Sequence, residues 1–237
     1  GLDEPVEGYS NFLWVIWLSL FERLGWDVTA WARLSSAACA LALVIWVSLH
    51  ARRRLSLGPG ATAATALFAA TLPPVAVWAT GGLATAPTAL LVFGVYALLL
   101  GDPERPRGIA AGVLAGLTGL IRADGAVGVV MLRGVAGLLW LAGGRPRELK
   151  RALLRAAAIV VVVLGAHVAR RVSSYGDYLP NTARVTAAFS VHRLERGFDY
   201  VVATLLTVPT IALVLLVSLR RWRAGLASVW LTAGVVI

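Results

Sequence analysis

The chain is divided into a series of long apolar stretches, and this division constrains its fold more than any other feature. Apolar runs of about 17–25 residues with few charges are typical of membrane-spanning helices. Such runs lie at about 30–50, 60–79, 84–100, 108–121, 125–142, 152–169, 200–219 and 224–237. Only 14% of the residues are charged, against about 25% in soluble domains. We therefore predict an all-α, polytopic membrane protein, with about eight transmembrane helices in a single domain covering 1–237.

The basic residues predict the orientation of these helices. They cluster at 52–54, 105–107, 145–151 and 220–223, and two predicted crossings separate each cluster from the next. All four clusters then share one side, which the positive-inside rule makes cytoplasmic. The net charge of +10 is explained by this topology, so we predict no nucleic-acid partner.

Residues 1–29 are predicted to form an external segment with an interfacial helix. The apolar stretch 12–22 is too short to span a bilayer comfortably, and Ser10 or Asn11 could cap it. Trp14, Trp17 and Trp26 suit the aromatic belt of a membrane interface. Because the chain opens with Gly1 rather than Met and closes in an apolar run, we expect both of its ends to be cut from a longer protein.

A dense polar run at 170–199 is predicted to be a second external loop and the main candidate for a binding site. Its candidate residues are Arg170, Arg171, Tyr175, Tyr178, Asn181 and Arg184. External arginines run against the topology preference, and arginine forms paired hydrogen bonds to phosphate, so a lipid-linked phosphate is the predicted ligand. The alternative is a solvated loop in which Arg193 or Arg196 pairs with Glu195 or Asp199.

Other polar residues give weaker hypotheses. Arg122 and Asp124, between two short apolar runs, either line an external cavity or satisfy each other in a plain hairpin. His167 lies in a spanning run, where a lone histidine is more often hydrogen-bonded in the core than a ligand.

The remaining chemistry is sparse. Three early acids, Asp3, Glu4 and Glu7, are weak candidates for a general base, since terminal acids are usually only solvated. The single Cys39 excludes an internal disulfide, and no residue spacing predicts a metal site or a cofactor.

Several short motifs occur in an order that resembles a known enzyme family. Val6–Trp14 is similar to an "EGYSN/T-LW" entry to the first external helix, and Ala79–Ala86 to a "TGLETA" segment. Leu117–Gly125 resembles an "L-TRP-[ED]-G" turn, and Tyr175–Thr182 a "YYG-LLPNT" loop. Their order, with the spanning segment from Ala32 to Arg54, resembles bacterial GT-C-type glycosyltransferases, which use polyprenyl-phosphate sugars. Arabinofuranosyl- and mannosyl-transferases of cell-envelope glycans are the relatives it suggests.

The resemblance implies transfer of a sugar from a polyprenyl-phosphate carrier to an envelope glycan, on the outer face of the bacterial cytoplasmic membrane. By its implication, Arg170, Arg171 and Arg184 hold the donor phosphate; Tyr175, Tyr178 and Asn181 shape the sugar site; Arg122 and Asp124 line the cavity. A divalent metal is compatible with the family, whose members vary in metal dependence.

The chain also departs from the family. The acidic motif of the first external loop is absent, Ala84 replaces the usual Glu and Ala123 the usual Pro. The catalytic residue is therefore unknown, and the isolated piece is expected to be inactive. A transporter or flippase of lipid-linked substrates, and a non-catalytic membrane scaffold, are the alternatives.

Overall fold

A computed structural model describes residues 9–102, 105–122, 147–178 and 191–207. Of these residues 84% are helical and none belongs to a strand, which confirms the predicted all-α class. The helices are α1 (Phe12–Arg23), α2 (Val28–Leu55), α3 (Pro59–Thr71), α4 (Pro73–Thr80), α5 (Thr85–Leu99), α6 (Gly108–Ile121), α7 (Arg147–Tyr175) and α8 (Val191–Thr207).

Two helices are long and apolar enough to cross a membrane. These are α2, with 28 residues, and α7, with 29; the bent pair α3–α4 would make a third if it counts as one span. With 15 and 14 residues, α5 and α6 are shorter than a typical span. The eight predicted crossings are not shown, and the runs 125–142 and 224–237 lie outside the described residues.

The apolar run 60–79, predicted as one span, is broken into α3 and α4. Pro73 disfavours helical conformation at the residue before it, and Leu72 is extended, with φ −60° and ψ 125°. The two helices consequently meet at an angle of 62°.

The first two helices begin differently. Asn11 occupies the N-cap position of α1 but makes no side-chain hydrogen bond there. At the start of α2, by contrast, Asp27 Oδ1 accepts hydrogen bonds from the backbone nitrogens of Thr29 (2.8 Å) and Ala30 (3.2 Å). The aspartate therefore satisfies two backbone donors that the first turn of a helix leaves unpaired.

One prediction about the α1 tryptophans is wrong. Trp14 is buried, with 6% of its surface exposed, in a hydrophobic cluster with Ala32, Ala84 and Ile121. Trp17 and Trp26 remain exposed. Trp14 is covered because it points towards α2 and α6, onto which α1 packs.

The tightest packing joins α6 to α7, which run parallel. Gly108, Gly112 and Gly116 on α6 face Ala152, Ala156 and Val163 on α7. A Cβ atom added at Gly112 would lie 2.8 Å from the Cα of Ala156, closer than such atoms approach in real structures. Small residues four apart on a helix allow this backbone approach.

The helices define two ends of the bundle. At the basic end, Arg54 lies 3.5 Å from Asp102, and Gly108, at the start of α6, contacts Ala152, near the start of α7. Clusters 52–54, 105–107 and 147–151 therefore share one end, as their spacing predicts. The opposite end, here called the aromatic end, contains the starts of α1, α2 and α5 and the last turns of α6 and α7.

Candidate functional site

Helix α7 carries the candidate arginines at the aromatic end. It continues to Tyr175, so Arg170 and Arg171 lie on a helix, and residues 191–199 belong to α8. The predicted loop 170–199 is therefore wrong at both of its ends. No glycine or proline interrupts α7 between Arg170 and Tyr175, and the turn ends at Gly176, whose positive φ of 67° suits glycine.

The last two turns of α7 face the beginning of α1. We define the arginine–aromatic cluster as the six residues that meet there: Tyr9, Phe12, His167, Arg170, Arg171 and Tyr175. Only three of the six, Arg170, Arg171 and Tyr175, are among the binding residues predicted from the sequence.

Arg170 is the centre of this cluster. Its Cζ atom lies 4.4 Å from the centroid of the Phe12 ring, a distance at which the ring face attracts a cation. Its Nε and Nη2 atoms are buried and have no hydrogen-bond partner among the described residues. Leaving buried donors of a charged group unpaired costs free energy, so an anion at these two nitrogens would be stabilising.

A pair of tyrosines closes one side of the cluster. The hydroxyl oxygens of Tyr9 and Tyr175 are 3.5 Å apart, and the Tyr9 ring stacks on that of Phe12 with centroids 6.3 Å apart. The hydrogen bond to Tyr175 and burial raise the pKa of Tyr9, while Arg170 acts in the opposite direction. A tyrosine hydroxyl can both donate and accept a hydrogen bond.

Arg171 organises the other side. Its Nη2 lies 3.1 Å from His167 Nε2, and its Nη1 donates to the backbone carbonyl of Tyr178 at 3.2 Å. A guanidinium only donates hydrogen bonds, so His167 Nε2 must accept, and the neutral imidazole then carries its proton on Nδ1. His167 also packs on Phe12, with ring centroids 4.6 Å apart. His167 is thus hydrogen-bonded within the cluster.

The remaining predicted site residues are not gathered into this cluster by the described part of the chain. Arg122 lies at the aromatic end, just after α6, where its Nη1 donates to Thr85 Oγ1 at 3.2 Å. Tyr178 is exposed, and its backbone carbonyl accepts a hydrogen bond from Arg171. The other candidates lie outside the described residues; they are Asp3, Glu4, Glu7, Asp124, Asn181 and Arg184.

One signal in the sequence could have revealed one of the three missed residues, His167. His167 and Arg171 are four apart, the spacing at which side chains meet on a helix, but this counts only if α7 is continued past Arg170. Tyr9 and Phe12 are separated from Arg170 by more than 150 residues, and no local pattern joins them.

The comparisons with known proteins assign no ligand or function to the cluster. Within the described ranges, no three His, Cys, Asp or Glu side chains come together in a way that could hold a metal ion. No family model matches the chain, and no curated protein or solved structure matches it significantly.

Proposed function

We propose that this protein is a GT-C-type membrane glycosyltransferase. It would transfer a sugar from a polyprenyl-phosphate carrier to a cell-envelope glycan, on the outer face of the bacterial cytoplasmic membrane. The observation that carries the proposal is Arg170, a cation held on Phe12 with two buried donors unpartnered in the described structure. The order of sequence motifs supports the same family.

The geometry of Arg170 suits a phosphate. Nε and Nη2 lie on the same edge of the guanidinium plane, and this edge forms two parallel hydrogen bonds to two oxygens of one phosphate or carboxylate. Lysine cannot reproduce this fork because its ammonium acts as a point charge. The Tyr9 hydroxyl lies in the same cluster and would be a further donor to the anion.

The position of the cluster supports the proposed side of the membrane. Three basic clusters lie at the other end of the bundle. Because basic loops are retained in the cytoplasm, the arginine–aromatic cluster would face outside, at the level of the outer leaflet head groups. A lipid-linked phosphate is an anion available at that depth.

In the proposed reaction, an acceptor hydroxyl attacks the anomeric carbon of the donor sugar and the carrier phosphate leaves with the bonding electrons. Arg170 and Arg171 would stabilise the charge that develops on that phosphate. A base of unknown identity takes the acceptor proton, with Asp3, Glu4 and Glu7 as weak candidates. The family resemblance implies roles for six further residues. The donor phosphate would also contact Arg184, the sugar site would be shaped by Tyr175, Tyr178 and Asn181, and the cavity would be lined by Arg122 and Asp124. A divalent metal is compatible with this reaction.

One observation favours a second candidate, a transporter or flippase of lipid-linked substrates. The pair α3–α4 is an apolar segment broken by 62° in its middle, and broken helices are common in transporters. Such a protein would bind the same lipid phosphate but would not break the bond between sugar and phosphate.

The test is sugar transfer in membranes containing the full-length protein and a polyprenyl-phosphate sugar. We expect Arg170→Ala to abolish transfer and Arg170→Lys to retain a small fraction of the transfer activity. Both variants should insert into the membrane normally. Arg196→Ala, which removes an exposed arginine of α8, is the matched control and should transfer normally. Unchanged transfer in Arg170→Ala contradicts the phosphate role. Arg170-dependent binding of the lipid without any transfer by the wild type contradicts the transferase and favours the transporter.

A further inference from the structure

Helix α8 has two faces of opposite character along its first three turns. Leu194, Phe198, Val201 and Leu205 follow one another at intervals of four, three and four residues, so they form a single stripe. The acidic and basic residues of these turns for which side chains are described lie on the opposite face; they are His192, Glu195, Arg196 and Asp199. His192 Nδ1 lies 3.6 Å from Glu195 Oε2, as expected for neighbours on that face.

The apolar stripe of α8 is not covered by the described part of the protein. Leu194, Phe198 and Val201 are 57%, 69% and 54% exposed. Neither hydrophobic cluster of the described residues includes a residue of α8. Large apolar side chains aligned in one exposed stripe indicate a surface that something else covers.

The two faces together fit an occupant that is apolar on one side and aqueous on the other. Glu195, Arg196 and Asp199 carry full charges and are too costly to lie in the hydrocarbon core. Exposing the apolar stripe of the same turns to water, however, is unfavourable. A helix lying in the plane of the membrane interface satisfies both faces at once, because its stripe meets lipid and its charged face meets water.

A second exposed apolar surface in the described chain agrees with a lipid occupant. Leu154, Val161 and Val162 are exposed on α7, the helix before α8 in the described chain, and α7 is one of the two helices long and apolar enough to span. In sequence, two arginines and two acids balance one another between 191 and 207, so apolar contact rather than attraction to anionic head groups would hold the helix.

We propose that the first three turns of α8 lie flat in the membrane interface, with Leu194, Phe198 and Val201 inserted between lipid chains. Glu195, Arg196 and Asp199 then face the water. This inference is independent of the proposed sugar transfer. It differs from the reading in which the segment simply enters the bilayer as the start of the span predicted at 200–219.

The test uses nitroxide labels attached to single cysteines in a Cys39→Ala background of the full-length protein. The apolar positions are Leu194→Cys, Phe198→Cys and Val201→Cys, and the polar positions are Glu195→Cys and Asp199→Cys. Each protein is reconstituted in phosphatidylcholine vesicles, with and without phosphatidylglycerol. Collision of the label with oxygen, which is concentrated in lipid, is compared with collision with a water-soluble nickel chelate.

We expect the ratio of oxygen to nickel collision to rise and fall with the period of a helix, several-fold higher at 194, 198 and 201 than at 195 and 199. Phe198 and Asp199 are neighbours, so any damage caused by labelling affects both, whereas the proposal predicts opposite results for them. Phosphatidylglycerol should change little.

Four results would overturn the proposal. Exclusion of both reagents from the apolar positions would mean that protein covers the stripe. Access of nickel to both faces would place α8 in water. A steady increase in depth from 194 to 201 would make the segment part of a transmembrane helix. Insertion only with phosphatidylglycerol would mean that charge, and not the stripe, holds it.

Discussion

The α6–α7 contact and the arginine–aromatic cluster involve the same helix, α7, but differ in how completely they are satisfied. Along α6–α7, glycine and alanine bring the backbones together, and the buried Thr118 hydroxyl donates to the carbonyl of Leu114 at 2.7 Å. In the cluster, two nitrogens of Arg170 are buried without a hydrogen-bond partner in the described residues. The packed contact therefore has its polar groups satisfied, whereas we expect an added anion to stabilise the cluster.

The largest expected effect on stability is at the packed contact. Gly112→Ala would force α6 away from Ala156, and overpacking of this kind costs about 1–3 kcal/mol. We expect a lower midpoint of thermal unfolding for the purified protein. Gly165→Ala on α7 is the matched control because a Cβ atom there meets nothing within 4 Å. The Gly165→Ala variant measures the effect of replacing glycine by alanine in a helix without any steric clash. Equal unfolding midpoints for the two variants would contradict the close packing of α6 on α7.

The next effect concerns the cluster. Arg170→Ala should weaken binding of a polyprenyl phosphate to the reconstituted protein by about tenfold to a hundredfold, since hydrogen bonds to charged groups contribute about 1.5–3 kcal/mol. Equilibrium binding to vesicles containing the lipid measures it. The midpoint of thermal unfolding should change less than in Gly112→Ala, because the variant removes two unpaired donors together with the contact to Phe12. A much lower unfolding midpoint with unchanged lipid binding would mean that Arg170 stabilises the fold and does not bind the phosphate.

A smaller effect is expected at the start of α2. Asp27→Ala removes the acceptor for two backbone nitrogens and should cost about 1 kcal/mol of stability. Asp27→Asn keeps an acceptor and should lose only part of this. Thermal unfolding of the two variants distinguishes them, and identical losses would indicate that the charge, rather than the cap, stabilises the helix.

Phe12→Leu tests the contribution of the aromatic ring beneath Arg170. It keeps an apolar side chain but removes the ring face below Arg170, a contribution of about 0.5–2 kcal/mol. Lipid-phosphate affinity should fall by a few-fold in the same binding assay. Phe68→Leu, on the exposed surface of α3, is the control. A loss as large as that of Arg170→Ala would mean that Phe12 has a structural role instead.

The smallest effect is a pH dependence at Tyr9. Its folded-state pKa is raised above the ordinary 10.0, so the associated stability is fully present below that pH and is lost as pH rises through the folded-state value. Tyr175→Phe removes the main cause and should lower the pKa of Tyr9 in a tyrosinate absorbance titration. Tyr200→Phe, which removes an exposed tyrosine of α8, should not. An unchanged titration in Tyr175→Phe would contradict the contact between the two hydroxyls.

The sequence predicts the regular parts of this molecule better than its site. Apolar length and the basic clusters lead to the all-α class and to the shared end of clusters 52–54, 105–107 and 147–151. Tyr9 and Phe12 could not be joined to Arg170 in this way, because only the packing of α1 beside the end of α7 brings them together. The loop prediction failed for a local reason, since polar residues such as Ser173 and Ser174 continue a helix that an apolar run began.

Everything proposed for the cluster depends on its facing the side of the membrane opposite to the basic end. In a Cys39→Ala background, Tyr178→Cys reports on the aromatic end and Arg53→Cys on the basic end, and both positions are exposed. A membrane-impermeant maleimide applied to intact cells should label Tyr178→Cys and should label Arg53→Cys only after permeabilisation. Labelling of both positions from one side, or of Arg53→Cys alone in intact cells, would contradict the account.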